Sequence, residues 1–357
     1  MEKRIEWIDI AKGIGILLVI FGHTISLTWS RPVYTFHLPL FFLLSGLVFH
    51  TDKYDSFIGL CKAKTHQLLK PWIIVWLISL VVCLLIPQWR EELDIRSIIA
   101  EFYTANTNNV QNSSLWYLPC LFFVFLLYYI LRTLFVKAKY NKIWMAIVIV
   151  LAIVFLYTAS ITQYICNKIP YGEFIPDGRL PFKIDTALVC LIFFSIGVNY
   201  KQELTNLVVN NKANKWSNLL IVLITSIALC ILVCYYNGWS NVNAMEYGKI
   251  RALFYPIAFY CIIAVLLISN KVSKNNSFFK RVLLFYGKNS LIIFVFQSLL
   301  IRLYLLFFNN IQGLDMHLYA DNPGYHQIGS FVLVSFVLSP LVVKLFVFLR
   351  NKGIKLI

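Results

Sequence analysis

Apolar runs of bilayer length recur along the whole 357-residue chain, and that repetition constrains its fold more than any single motif. A helix needs about 20 apolar residues to cross the hydrocarbon core, and it satisfies its own backbone hydrogen bonds there, which a lipid-exposed loop cannot do. Hydropathy places ten such runs, at 11–30, 33–50, 71–87, 115–135, 143–161, 184–200, 217–236, 252–269, 289–308 and 329–349. Charged residues make up 13% of the chain and hydrophobic ones 59%, far from the roughly 25% charged residues of a soluble protein, and no long polar stretch remains for a second domain. The expectation is an all-α, polytopic membrane protein with about ten transmembrane helices in one bundle, forming a single domain over 1–357.

The basic residues give this bundle an orientation. Twenty-three of the 32 lysines and arginines fall at one face, before the first run, after the last, in alternate connections or at the adjoining ends of the runs, as the positive-inside rule requires if both termini are cytoplasmic. A net charge of +16 spread over these segments is accounted for by topology and anionic membrane lipid, so nucleic acid is not expected as a partner. Charge precedes the first run as in a signal peptide, but no A-x-A-like site follows, and the run is read as an uncleaved span. The eight cysteines show no CxxC or His/Cys spacing that suits a metal, and none is expected.

Ionisable residues inside these runs are costly and point to function by default. In "DIAKGIGILLVIFGHT", Lys12 and His23 stand eleven residues apart, so on a helix they differ by about 20° and lie on one face, roughly 16 Å apart along the axis. Asp9 joins the stripe at its cytoplasmic end. Two readings stay open for each: an anchoring, snorkelling lysine or a ligand contact for Lys12, and a packing hydrogen bond or a base for His23. The next run, "YTFHLPLFFLLSG", enters from the opposite side and brings His37 to a similar depth, with Pro39 expected to bend the helix beside it. Histidine titrates near neutral pH and takes protons from hydroxyls, so a pair in a water-accessible cavity suits general-base chemistry, although His37 also fits an interfacial residue. Trp116 in "SSLWYLPC", Arg179 and Asp185 around the sixth run, Arg251 opening the eighth and Arg302 within the ninth are further candidates. Belt aromatics and snorkelling cations are the alternatives for these.

At these residues the chain resembles the acyltransferase-3 family of bacterial integral membrane acyltransferases, in the branch that looks like fucose 4-O-acetylases. "WIDIAKGIGILLVIFGHT" fits the family signature of a basic residue, ten residues, then histidine. "FHLPLFFLLSG" fits the motif that follows, and "LWYLP", "IDTALVCLIFFSIG" and "YGKNSLIIFVFQSLLI" resemble later blocks in order. The resemblance implies a ten-span enzyme of the bacterial cytoplasmic membrane that passes an acetyl or other acyl group from cytoplasmic acetyl-CoA to a surface polysaccharide or lipid-linked sugar, with His23 catalytic. Gln297 stands where many relatives carry histidine; its amide can bind a sugar or a carbonyl but cannot act as a base.

From these residues, His23 is expected to be the general base, with His37 orienting the acceptor or assisting, and Lys12 to attract a phosphate of coenzyme A. Trp116, Arg179, Asp185, Arg251, Gln297 and Arg302 are expected to contact substrate, with Trp116 or a histidine donating to the oxyanion. A transporter of a small acid or sugar, with Lys12, His23 and Arg302 lining its path, is the rival reading, and a membrane sensor in which the histidines are dispensable is another.

Overall fold

A computed structural model describes residues 5–105, 107, 109–137, 143–166, 180–210, 216–312 and 324–354. Along the chain run α1 (Glu6–Thr24), α2 (Leu27–Tyr34), α3 (His37–Leu47), α4 (Phe57–Lys64), α5 (Lys70–Leu85), α6 (Pro87–Glu91), α7 (Ile95–Thr104), α8 (Tyr117–Lys137) and α9 (Ile143–Cys166). Then follow α10 (Ile184–Asn199), α11 (Lys201–Val209), α12 (Trp216–Asn237), α13 (Phe254–Ser273), α14 (Phe278–Lys288), α15 (Ser290–Gln312), α16 (Gly324–Leu333) and α17 (Ser339–Asn351). Among the described residues the only sheet is a two-residue ladder between β1 (Ser240–Asn241) and β2 (Glu246–Tyr247).

Eight helical segments among the described residues are long and apolar enough to cross a membrane, and α9 adds a shorter apolar stretch over Ile143–Tyr157. The chain is thus an all-helical, multi-pass membrane protein. The ten expected runs differ from this in identifiable places. The first is not a helix over 11–30: α1 begins at Glu6 and stops at Thr24, where Ile25 turns extended (φ −94°, ψ 146°) and the Ser26 amide leaves the helix to donate to the Gln327 Oε1 at 3.0 Å. The second is not one helix over 33–50. Phe36 (φ −133°, ψ −18°) breaks it, leaving the 11-residue α3, about 16 Å long, which is short of a bilayer crossing. Pro39 therefore lies in the first turn of α3, where a missing N–H costs little, and bends nothing.

Two prolines, Pro71 and Pro340, lie inside longer helices. Pro71 follows a π turn at Thr65–Leu69 that joins α4 to α5 in one segment, Phe57–Leu85, and Pro340 follows a π turn at Val334–Leu338 within Gly324–Asn351. A π turn shifts the hydrogen-bond ladder by one residue, so the backbone carries the ring and the missing donor without ending the helix.

The chain divides into two compact units. The first comprises Met1–Val48, Ile196–Phe294 and Leu303–Val343, and the second Phe49–Ser195, Val295–Arg302 and Lys344–Ile357. In the first, α1 is central and packs on α14, α13 and α3. Its contact with α14 is backbone to backbone: a Cβ on Gly13 would collide with the Leu283 carbonyl, and one on Gly287 with the Asp9 carbonyl. Small residues allow such approach between membrane helices, and the Lys280–Glu6 ion pair at 2.7 Å closes the same interface. A Cβ on Gly197 would likewise collide with the Leu43 carbonyl, which explains why small residues are required where α3 meets α10.

In the second unit, Phe49, Phe125, Tyr128 and Phe194 form an edge-to-face aromatic cluster. Lys64 is buried against it, its Nζ 3.7 Å from the Phe125 ring centre and donating to the Gln67 Oε1 at 2.9 Å. The ring face and the amide replace the water that its ammonium loses.

Candidate active site

The first unit brings His23 and His37 to one aromatic ring. Tyr34 closes α2, and its ring lies edge-to-face with His23, 6.1 Å between centroids, and with His37, 5.1 Å. Its hydroxyl donates to the Gly22 carbonyl at 3.0 Å, which ties α2 to the last turn of α1. Gly22 packs against the Tyr34 ring, which a Cβ there would meet at 3.4 Å, an ordinary contact distance. His37 follows directly on the break at Phe36, at the first position of α3.

The His37 Nδ1 lies 2.7 Å from the Val33 carbonyl. A carbonyl only accepts, so Nδ1 carries the proton, and in the neutral imidazole Nε2 then holds the lone pair. Ring orientation and tautomer are thereby fixed by the backbone, as a base or acceptor requires. His37 is buried, whereas His23 is half-buried in the last turn of α1. Lys12 and His23 lie on the same uninterrupted α1, so their eleven-residue spacing holds as a helical register; Asp9 is buried one turn before Lys12.

Trp239 completes this cluster, with its ring edge-to-face on Tyr34 at 5.6 Å. A rigid hairpin presents it. Gly238 (φ +90°) and Gly248 (φ +73°) take the left-handed backbone that glycine tolerates, and Ser240 pairs with Tyr247. Asn237 clasps the far strand, its Oδ1 accepting from the Ile250 amide at 2.5 Å and its carbonyl from the Lys249 amide at 2.7 Å. Arg251 follows directly in a 3₁₀ turn. The sequence signal for Trp239 was weak: a tryptophan after Asn237-Gly238 in a connection that reads as an ordinary loop.

Trp116, Asp185, Gln297 and Arg302 belong to the second unit, and Arg179 lies outside the described residues. There a buried polar loop joins α7 to α8. The Asn112 Nδ2 donates to the Ser79 Oγ (3.1 Å) and the Val295 carbonyl (2.9 Å), while the Ser113 amide donates to the Ser298 Oγ (3.2 Å). Glu101 accepts from the amides of Asn109 and Val110. Trp116 is buried at the end of this loop, edge-to-face with Tyr117. Arg302 shares the electrostatic surroundings of Cys83 with Glu101 and Glu92, so acids lie in its neighbourhood as an intramembrane guanidinium requires.

Asp185 is fully buried and accepts from the Thr186 amide (2.7 Å) and the Leu180 amide (3.3 Å) at the start of α10. Just before it, Phe182 (φ 52°) and Lys183 (φ 61°) hold consecutive left-handed conformations, a strained turn that the buried carboxylate helps to fix. Gln297 is fully buried, and neither its Oε1 nor its Nε2 has a partner among the described residues. Such a group is expensive unless a ligand or water supplies the missing bonds.

An open groove of about 570 Å³ beside α14 is lined by residues such as Phe278, Arg281, Phe285 and Phe336, and no histidine lines it.

No curated protein and no solved structure matches the chain. The family model described as "Acyltransferase domain" matches residues 5–349, nearly the whole of it. With a helical membrane fold and two histidines gathered on one tyrosine, the chain belongs to the acyltransferase-3 family of membrane acyltransferases.

Proposed function

We propose that the protein is an O-acetyltransferase that moves an acetyl group from cytoplasmic acetyl-CoA to a hydroxyl of a surface or lipid-linked carbohydrate. The observation that carries this reading is the placement of His23 and His37 on Tyr34, with one tautomer of His37 fixed by the Val33 carbonyl. His23 takes the proton of the acceptor hydroxyl as its oxygen attacks the thioester carbon, and returns it to the thiolate when the C–S bond breaks. His37 accepts a hydrogen bond through Nε2 and orients the hydroxyl. Substrate contact remains the proposed role of Arg251 in the first unit and, separately, of Trp116, Asp185, Gln297 and Arg302 in the second, where the unpartnered amide of Gln297 supports it.

Lys12, roughly 16 Å along α1 from His23, binds a phosphate of coenzyme A, a distance that an extended pantetheine arm spans. Lys12→Ala is expected to raise the KM for acetyl-CoA about tenfold or more while leaving the acceptor KM unchanged, since a charged hydrogen bond contributes about 1.5–3 kcal/mol. Steady-state kinetics with each substrate varied in turn checks this, and an unchanged donor KM removes Lys12 from the site.

The same reading places both termini in the cytoplasm of a bacterial cell. A topology reporter after Asn210 is expected to read cytoplasmic, and one in the Asn243–Ala244 turn external.

A further inference from the structure

Two donors of the histidine cluster are committed to backbone carbonyls. Tyr34 spends its hydroxyl on the Gly22 carbonyl and His37 its Nδ1 proton on the Val33 carbonyl. Trp239 differs: its Nε1 is buried and has no acceptor among the described residues. An indole N–H only donates, and a buried donor without an acceptor is destabilising unless something else supplies one. The hairpin holds this donor in place before any ligand arrives, through the Asn237 clasp and the Ser240–Tyr247 pairing.

We propose that Trp239 is the oxyanion donor of the acyl-transfer reaction, its Nε1–H hydrogen-bonding the thioester carbonyl oxygen. This rests on the reading of His23 and His37 as the reacting centre. When the acceptor oxygen bonds to the carbonyl carbon, the C=O electron pair moves onto oxygen, and the indole N–H stabilises that charge. As the carbonyl re-forms, the C–S bond breaks, and the thiolate takes the proton held by the His23 imidazolium. A fixed donor that costs no reorganisation is what such a step uses best. The assignment gives this role, expected of Trp116 or a histidine, to a tryptophan on the same ring as both histidines.

The test is Trp239→Phe in the full-length protein in lipid, which keeps an aromatic ring against Tyr34 and removes only the donor. The expected result is a kcat lower by about 10²–10³-fold with the acetyl-CoA KM changed less than about twofold. A packing role would not move the second readout, the affinity for two donor analogues. The ketone in which methylene replaces the thioester sulfur should bind more weakly to the variant, whereas S-ethyl-CoA, a thioether with no carbonyl, should bind equally. An unchanged kcat, or equal weakening of both analogues, overturns the proposal. His23→Ala, run alongside, separates the two failures. If it is inactive while Trp239→Phe is active, the indole assignment alone falls; if both turn over normally, the histidine reading falls with it.

Discussion

His23→Ala is expected to lower acyl transfer by about 10²–10⁴-fold without loss of folded protein, because general-base catalysis contributes that much and the residue is only half-buried. The Tyr34 ring that packs on His23 is held independently by its bond to the Gly22 carbonyl, so truncation leaves the cluster standing. His37→Asn is the informative companion. Its amide can still donate to the Val33 carbonyl, as the His37 Nδ1 does, but it presents no basic nitrogen in the place of Nε2. If His37 orients the acceptor through Nε2, the variant should raise the acceptor KM and lower kcat while the donor KM stays put. Full activity in His37→Asn would reduce His37 to a packing residue.

The second large effect is structural. Gly287→Val is expected to prevent the native packing of α1 on α14, since its Cβ would overlap the Asp9 carbonyl, and backbone in the middle of a helix cannot step aside as a side-chain tip can. Overpacking of a core typically costs about 1–3 kcal/mol, and an overlap with backbone belongs at or above the top of that range. Gly13→Val should act the same way against the Leu283 carbonyl. Folded yield and thermal unfolding in detergent read both, and Gly59→Ala, which meets only the Ser56 hydroxyl at 3.3 Å, is the control expected to change little. A stable Gly287→Val protein would contradict the close approach.

What could be read from the sequence follows from which interactions are local. The helical membrane class is a property of composition over 20-residue windows, and the one-face placement of Lys12 and His23 follows from helical periodicity alone. Both hold in α1. The break at Phe36 was not legible. The long-range bonds around it, from the Ser26 amide to Gln327, 301 residues away, and from Tyr34 to Gly22, are not encoded in a local pattern. The π turns before Pro71 and Pro340 leave no composition signature either.

The site shows the same division. His23 and His37 stood out because an ionisable side chain in an apolar run needs a reason. Trp239 did not, since a tryptophan in a connection is unremarkable until the hairpin folds it onto Tyr34. The polar loop around Asn112 was missed because its serines and asparagines read as ordinary turn residues, although Ser79 and Ser298 bury it.

The most direct test follows the label of [acetyl]-CoA added to purified protein in lipid with lipid-linked sugars, comparing wild type with His23→Ala at matched folding. The account predicts that wild type moves label from coenzyme A onto a carbohydrate hydroxyl and that His23→Ala does so at least about 10²-fold more slowly. Label transferred at the wild-type rate by His23→Ala, or label that stays on coenzyme A with wild type across every sugar supplied, would contradict it.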